Sequence, residues 1–342
     1  MKKPSAIFII RVLLFSATVV SLFFVPWILV KAWILPLPNT VQDQVDEAIS
    51  HGFDGMIVYV QKADQTPRFY AGGFKDRKTE TPADPHSLFK IASISKLFVA
   101  VSITKLVAKE RLSLDASIAD FYPDLVGKLP YAEQITVRQM VQHRSGMPDF
   151  TYSGAYWQDN QGQGKDPLDY ALDMPTSFAP GEDYEYSNTN YLFLRRIIEQ
   201  TVGYSHQQFI KEEILDRLKL QNTYSSLAQV NLDDVMSGYY VGDDTDYKSV
   251  ENGMLATAQD IGIFLRALND GSVFDEGEQA IYSSIYVYEH GGLVPGYQSL
   301  AEYNAEIDTV VVQFINTTDF NGYEWNLSQI ILGRIFDILE NE

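Results

Sequence analysis

The chain has 342 residues, with 46% hydrophobic residues and a formal net charge of −19, which suits one large or two modest globular domains with a full core and excludes a disordered chain. It has no cysteine, so disulfides, thiolate metal sites, a cysteine nucleophile and a lipid-modified cysteine are all ruled out. Four of the 26 basic residues and none of the 45 acidic ones fall within residues 1–38, which leaves the remainder at −23, a surface that repels nucleic-acid phosphate.

Residues 1–38 differ from the rest. Lys2, Lys3 and Arg11 precede an uncharged run from Val12 to Val30 rich in Leu, Val, Ile and Phe. Nineteen residues as one helix rise about 28 Å, close to the hydrocarbon thickness of a bilayer. Trp27 and Trp33 sit where indoles favour the interface, and Pro26 is tolerable in such a helix. Early positive charge against Asp43, Asp46 and Glu47 predicts a cytoplasmic N-terminus and an extracytoplasmic domain from residue 39 to 342. A cleaved signal segment is the alternative, although Lys31-Ala32-Trp33 is a poor cleavage site.

The elements then follow in order. Val41 to Ser50 reads as an amphipathic helix. Phe53 to Val60 and Arg68 to Ala71 read as strands, with Gly72-Gly73 as a break. After the loop Thr79 to Pro85 comes the apolar run Leu88-Phe89-Lys90-Ile91-Ala92-Ser93-Ile94-Ser95-Lys96, with a helix that begins somewhere between His86 and Ser93. Leu112 to Tyr122 contains a short helical turn, and Val137 to Gln142 is a helix stopped by Ser145-Gly146-Met147-Pro148. Thr151 to Pro180 is irregular; Tyr152, Tyr156 and Trp157 either line a cleft there or pin the loop to the core, the second being favoured. Helices follow at Tyr191 to Gln200, His206 to Leu218 and Ala258 to Asn269. Ile281 to Tyr288, Gly296 to Asn304 and Thr309 to Asn316 read as three strands, and Glu324 to Leu339 as a closing helix. Strands at both ends with helices between predict an α+β fold: one antiparallel sheet built from both ends, flanked by helices, with an inserted helical subdomain.

Three constellations carry chemistry. Ser-x-x-Lys occurs at Ser87–Lys90, Ser93–Lys96 and Ser102–Lys105. Ser87 reads as a turn or cap residue, Ser102 lies too deep in the helix, and Lys105 with Lys109 reads as a solvated stripe. Ser93 and Lys96 share one helix face; an amine in apolar surroundings loses solvation for its charged form and can take a proton from the hydroxyl. The second constellation is Tyr186-Ser187-Asn188, a phenol able to relay a proton and an amide able to hold a substrate carbonyl, or else a turn capped by Asn188. The third, His290-Gly291-Gly292-Leu293, stands at a strand end, where glycines would let a substrate backbone lie on the strand edge and the Leu293 N–H complete an oxyanion hole; a Gly-rich hairpin is the other reading. There is no Gly-x-Ser-x-Gly elbow, the five histidines show no paired metal spacing, and Lys248 spoils the calcium-loop pattern of Asp243, Asp244 and Asp246, so no metal and no cofactor are expected.

Together and in this order the three resemble the active site of the serine β-lactamase and penicillin-binding superfamily, in the branch of class C β-lactamases, D-Ala-D-Ala carboxypeptidases and related esterases. The likeness extends to Gln142-His143-Arg144-Ser145-Gly146-Met147-Pro148 and to Asn252-Gly253-Met254-Leu255-Ala256-Thr257-Ala258-Gln259-Asp260. The resemblance implies a β-lactamase/transpeptidase-like fold and an acyl-enzyme on Ser93. Lys96 and Tyr186 would activate the hydroxyl and return its proton, and Asn188 would orient the substrate amide. His290, Gly291 and Gly292 would form the pairing strand, with the amides of Ser93 and Leu293 as oxyanion donors. It departs from class C β-lactamases at His290, where those carry lysine; a histidine is only partly charged at neutral pH, which favours peptidase or esterase activity on a cell-wall peptide, a β-lactam or an ester. A β-lactam or peptidoglycan sensor would need a cytoplasmic output, for which about ten residues precede the apolar run; a silent binding module would not need Ser93, Lys96 and Tyr186 intact.

Overall fold

The computed structural model describes residues 5–159, 165–251 and 253–342, and the side chain of Trp157 and residue Asn252 lie outside what is described. Strands β1 (Gly55–Lys62), β2 (Arg68–Asp76) and β3 (Thr81–Pro82) from the front of the chain join β4 (His290–Val294), β5 (Tyr297–Asn304) and β6 (Thr309–Ile315) from its end. They form one antiparallel sheet in the order β3-β2-β1-β6-β5-β4, which places β4 at an edge. The expected sheet from both chain ends is therefore present.

Helices cover both faces. Successive side chains of a strand point to opposite sides. Met56, Val58 and Val60 of β1 pack with α3 (Val41–Ser50) and the C-terminal helix Glu324–Glu340, whereas Ile57 and Tyr59 pack into the larger core with α4 (Ser95–Ala108). Burial on both faces explains why β1 reads as an unbroken apolar run. The inserted part supplies α5 (Asn188–Val202) and α6 (Ala258–Asp270), both packed into the same larger core.

Three expectations need correcting. Gly72-Gly73 does not break β2: Gly72 pairs with Met56 and Gly73 with Gly55 inside the ladder. A Cβ on Gly72 would lie 2.8 Å from Val45 of α3, so this glycine lets the helix sit close to the strand. Ile281 to Tyr288 is not a strand. Its first part belongs to α7 (Glu278–Ser283), and the next strand begins only at His290. Tyr282, Ile285 and Tyr286 satisfy a helical i, i+3, i+4 spacing, while Tyr282, Tyr286 and Tyr288 also fit an alternating one, and the buried Tyr282 hydroxyl donates to the Val287 carbonyl at 2.6 Å to close the turn. Lys105 is not on a solvated stripe: its amine is buried and lies 3.0 Å from Glu278 Oε2, itself buried, tying α4 to α7. A buried pair tolerates loss of one partner badly, because the other charge stays behind. Glu278→Ala is expected to cost about 3–5 kcal/mol in urea unfolding, with most of it recovered in Lys105→Met/Glu278→Leu. A loss below about 1 kcal/mol would show that water reaches the amine.

The N-terminal run is not one helix. It forms α1 (Ala6–Leu22) and α2 (Trp27–Ile34), bent by 77° across a short break, and no single helix among the described residues is long and apolar enough to cross a membrane. Proline explains the break, since Pro26 has no N–H to give and its ring clashes with the preceding turn. All of α1 is free of buried residues, while Ala32 of α2 is buried and Ile28 and Leu29 pack beside the C-terminal helix. Arg334 of that helix donates to the Leu35 carbonyl at 2.9 Å, to the Pro36 carbonyl at 3.0 Å and to Gln44 at 2.7 Å. The chain leaving α2 is thereby clamped to the domain.

Candidate active site

Ser93 stands in a 3-10 turn (Ala92–Ile94) that leads directly into α4. The first bond of that turn runs from the Ile94 N–H to the Ile91 carbonyl, so the Ser93 N–H precedes the helical ladder and can point at a ligand. Ala92 adopts φ +47°, a left-handed conformation that costs an alanine about 1 kcal/mol or more and is held by the packing around it. Gly292 of β4 is part of that packing: a Cβ there would fall 2.4 Å from the Ile91 carbonyl oxygen. On the opposite face, a Cβ on Gly291 would meet Trp325 at 2.6 Å. The protein's own contacts thus require both glycines: Gly292 lets β4 press against the start of α4, and Gly291 makes room for Trp325 of the C-terminal helix. His290–Leu293 is itself the strand and not merely its end.

The three side chains that the sequence separates by up to 93 positions meet. The Tyr186 hydroxyl donates to Ser93 Oγ at 2.7 Å, and Lys96 Nζ lies 3.1 Å from the same oxygen. Lys96 also donates to Asn188 Oδ1 at 2.8 Å and sits 4.9 Å from the centre of the Tyr186 ring. Burial is the main cause that pulls the Lys96 amine down to about 7; the Arg195 charge adds to it, and Asp149 opposes it. Burial also pushes the Tyr186 phenol well above its ordinary value, so the phenol keeps its proton. One residue of the pair can therefore accept a proton near neutrality and the other can give one.

Asn188 is not the cap of α5; Ser187 occupies that position and Asn188 is the first helical residue. Its amide is oriented by Asp149, whose Oδ2 accepts from Asn188 N at 2.9 Å and from Nδ2 at 2.8 Å. The carboxylate is buried, and its Oδ1 accepts from Thr151 N at 2.9 Å and Oγ1 at 2.8 Å. With Nδ2 on Asp149, Oδ1 must face Lys96, and the second Nδ2 hydrogen is left for a substrate carbonyl.

His143 lies under Tyr186 as a plate, ring centroids 4.4 Å apart, with Tyr191 on it at 5.1 Å. Its Nδ1 accepts from the Ser187 N–H at 3.0 Å, and burial first, then Lys96 and His290, pull it down to about 3, so it is neutral. His290 faces Tyr186 across the opening, ring centroids 6.3 Å apart. Its Nδ1–H donates to the Gly291 carbonyl, so Nε2 accepts from the Tyr286 hydroxyl at 3.0 Å. Burial pulls His290 down to about 4. The partial charge expected of it at neutral pH is absent.

These groups line one wall of an open cleft of about 2120 Å³. Tyr152 and Tyr156 line it from the loop, and Tyr156 also packs on Phe150 at 4.9 Å and Tyr170 at 5.7 Å, so it both pins the loop and faces the cleft. A family model described as Beta-lactamase matches residues 37–284. The chain belongs to the beta-lactamase family. Within that family it is 31% identical over 168 residues to a penicillin-binding protein of Bacillus subtilis (strain 168), covering 48% of this chain and 36% of that one. Protein flp of Staphylococcus aureus (strain MW2) is 29% identical over 196 residues, 55% of this chain and 39% of its own. The chain therefore spans less than half the length of the curated relatives it matches. Among solved structures, D-amino acid amidase from Ochrobactrum anthropi SV3, complexed with L-phenylalanine, superposes with a TM-score of 0.77 at 23% identity over 89% of this chain and 98% of that one. At that identity the likeness shows the beta-lactamase-family fold.

Two groups near Ser93 escaped the sequence reading. Asp149 directly follows the Ser145–Pro148 turn, and a carboxylate just before a run of ordinary loop residues carries no periodic signal. Arg195 lies on α5 seven residues after Asn188, a helical repeat that places it on the same face, which is a signal the spacing did contain.

Proposed function

We propose that this beta-lactamase-family chain is a serine hydrolase that works through an acyl-enzyme on Ser93, with peptidase- or esterase-like activity on D-amino-acid peptides, amides or short esters. The observation that carries this reading is the position of Ser93 Oγ between the Lys96 amine at 3.1 Å and the Tyr186 hydroxyl at 2.7 Å. In the first step Lys96 takes the hydroxyl proton while Oγ bonds to the substrate carbonyl carbon. The carbonyl electron pair moves onto oxygen, between the N–H groups of Ser93 and Leu293. Collapse of this intermediate breaks the bond to the leaving group, which receives a proton through Tyr186, resupplied from Lys96. Water then attacks the ester on Ser93 by the same route, releasing the acid and restoring the hydroxyl. A neutral His290 on β4 supports amide and ester substrates over recognition of a carboxylate at that strand.

The domain is proposed to work outside the cytoplasm, tethered by residues 1–38. The wholly exposed apolar surface of α1 and its length of about 26 Å support this reading, and so does the clamp that Arg334 puts on the chain after α2.

Incubating the full chain in detergent with a labelled penicillin and with an activated short-chain ester tests the proposal. Label on Ser93 that turns over, ester hydrolysis, and loss of both in Ser93→Ala are expected. Label that persists without any ester turnover would point to a sensor. Neither label nor product would remove the enzymatic reading.

A further inference from the structure

The cleft continues past Ser93 along α5, where Arg195, His206, Lys211 and Lys219 line it. Arg195 shares a helix face with Asn188, about 10 Å further along the axis at 1.5 Å per residue. Long side chains on a helix lean toward its N-terminus, which brings the guanidinium back toward Ser93. The direction agrees with its neighbours: Lys96 and Tyr186 feel its charge on one side and His206 on the other.

Arg195 is half-buried, and among the described residues no carboxylate forms a hydrogen bond or ion pair with it, although the charge of Glu199 one helical turn on acts on it. The acids around it are engaged elsewhere. Asp149 is taken by Asn188 and Thr151, and Glu199 accepts from His206 at 2.7 Å. Asp216 pairs with Lys211 at 2.6 Å, while Glu251 accepts from the N–H groups of Leu227 and Gly253. The next residue, Arg196, has its own partner in Asp166 at 2.8 Å. The Arg195 guanidinium opens on the cleft with five donors that no carboxylate among the described residues takes up, so they are free for water or for oxygens that a ligand brings. It is also out of keeping with a domain carrying −23, whose surface turns anions away.

We propose that Arg195 is the anion-binding end of the substrate cleft, and that the natural substrates are esters or amides carrying a second, oxyanionic group, a carboxylate or a phosphate, within roughly 10 Å of the scissile carbonyl. The guanidinium fork matches either group through two parallel N–H···O bonds. With His290 neutral, β4 offers no competing cation. This inference rests on reading Ser93 as the nucleophile.

The test compares nitrophenyl esters of butyrate, glutarate, 4-phosphonobutyrate and 4-aminobutyrate, which differ in chain-end charge, and butyryl esters of nitrophenol with and without a carboxylate on the leaving ring. For the full chain, at least one anionic ester is expected to exceed its neutral counterpart in kcat/KM, and the cationic one to fall below it. Arg195→Gln should cut the anionic-to-neutral ratio at least about tenfold, with Arg195→Lys intermediate. Taking the ratio cancels the change that the lost charge makes in Lys96. Whether glutarate or phosphonobutyrate gains more distinguishes the two anions. A flat series unaltered in Arg195→Gln overturns this inference while leaving the hydrolase reading intact. If no ester turns over, calorimetric binding of glutaryl and butyryl amides to Ser93→Ala decides it alone: equal affinities overturn it, and a glutaryl preference lost in Ser93→Ala/Arg195→Gln upholds it.

Discussion

Lys96→Met keeps the length and packing of the side chain, removes only the amine, and is expected to lower kcat on an ester or amide by about 10³-fold or more. A positioned general base contributes about 10²–10⁴-fold, and here no other group stands ready to take its place. Tyr186 holds its proton well above neutral pH, and His290 and His143 make no contact with Ser93 Oγ. The pH profile of the unaltered chain gives the same assignment a second reading. Burial, with Arg195 adding, depresses Lys96 to about 7, and only the unprotonated amine can accept. Activity should therefore rise with pH, about tenfold per unit below 7, and level off above it. In Lys96→Met the rising limb should vanish along with most of the rate. Retention of that limb in the variant would assign it to another group, and a rate that falls as pH climbs through 7 would contradict a lysine base.

The sheet was legible because its information is local. β1 and β6 are short apolar runs bounded by turns, and α3 and α6 show caps and a helical period that need no knowledge of the rest of the chain. Where a residue answers to a partner far away, local pattern misleads. Gly72 looks like a break until Val45 of α3 is seen against it. Lys105 looks solvated until Glu278 is found 173 positions on. Tyr282 and Tyr286 obey two periods at once, and a closing hydrogen bond to Val287 decides between them. The site divides in the same way. Ser93, Lys96, Tyr186 and Asn188 were legible as candidates because three constellations occur together in an order that resembles the penicillin-binding active site, whereas the spacing of each alone left a turn or a cap open. Asp149 was not, since its meaning lies entirely in what it holds: the amide of Asn188, and through it the amine of Lys96. The Pro26 break is an intermediate case, because a proline inside an apolar run is compatible with a kinked span as well as with two separate helices.

Tyr186→Phe separates the two halves of the proposed proton path. The substitution removes one oxygen and leaves the ring on His143, so the fold around Ser93 should be undisturbed. If the phenol delivers the proton to the departing group, its loss matters in proportion to how badly that group needs one. An amide nitrogen cannot leave as an anion, whereas a nitrophenolate can. Turnover of an amide is therefore expected to drop by about 10²–10³-fold, within the range of general-acid contributions, and that of a nitrophenyl ester by about tenfold or less. The residual ester effect reflects the hydrogen bond at 2.7 Å that orients Ser93 Oγ. Equal losses on both substrates would instead make the phenol part of the activating base, acting before the bond to the leaving group is touched. That result would also require a phenol ionising near neutrality, against the burial that holds its proton in place. Kinetics on the paired substrates thus ask of one oxygen atom which step of the reaction it serves.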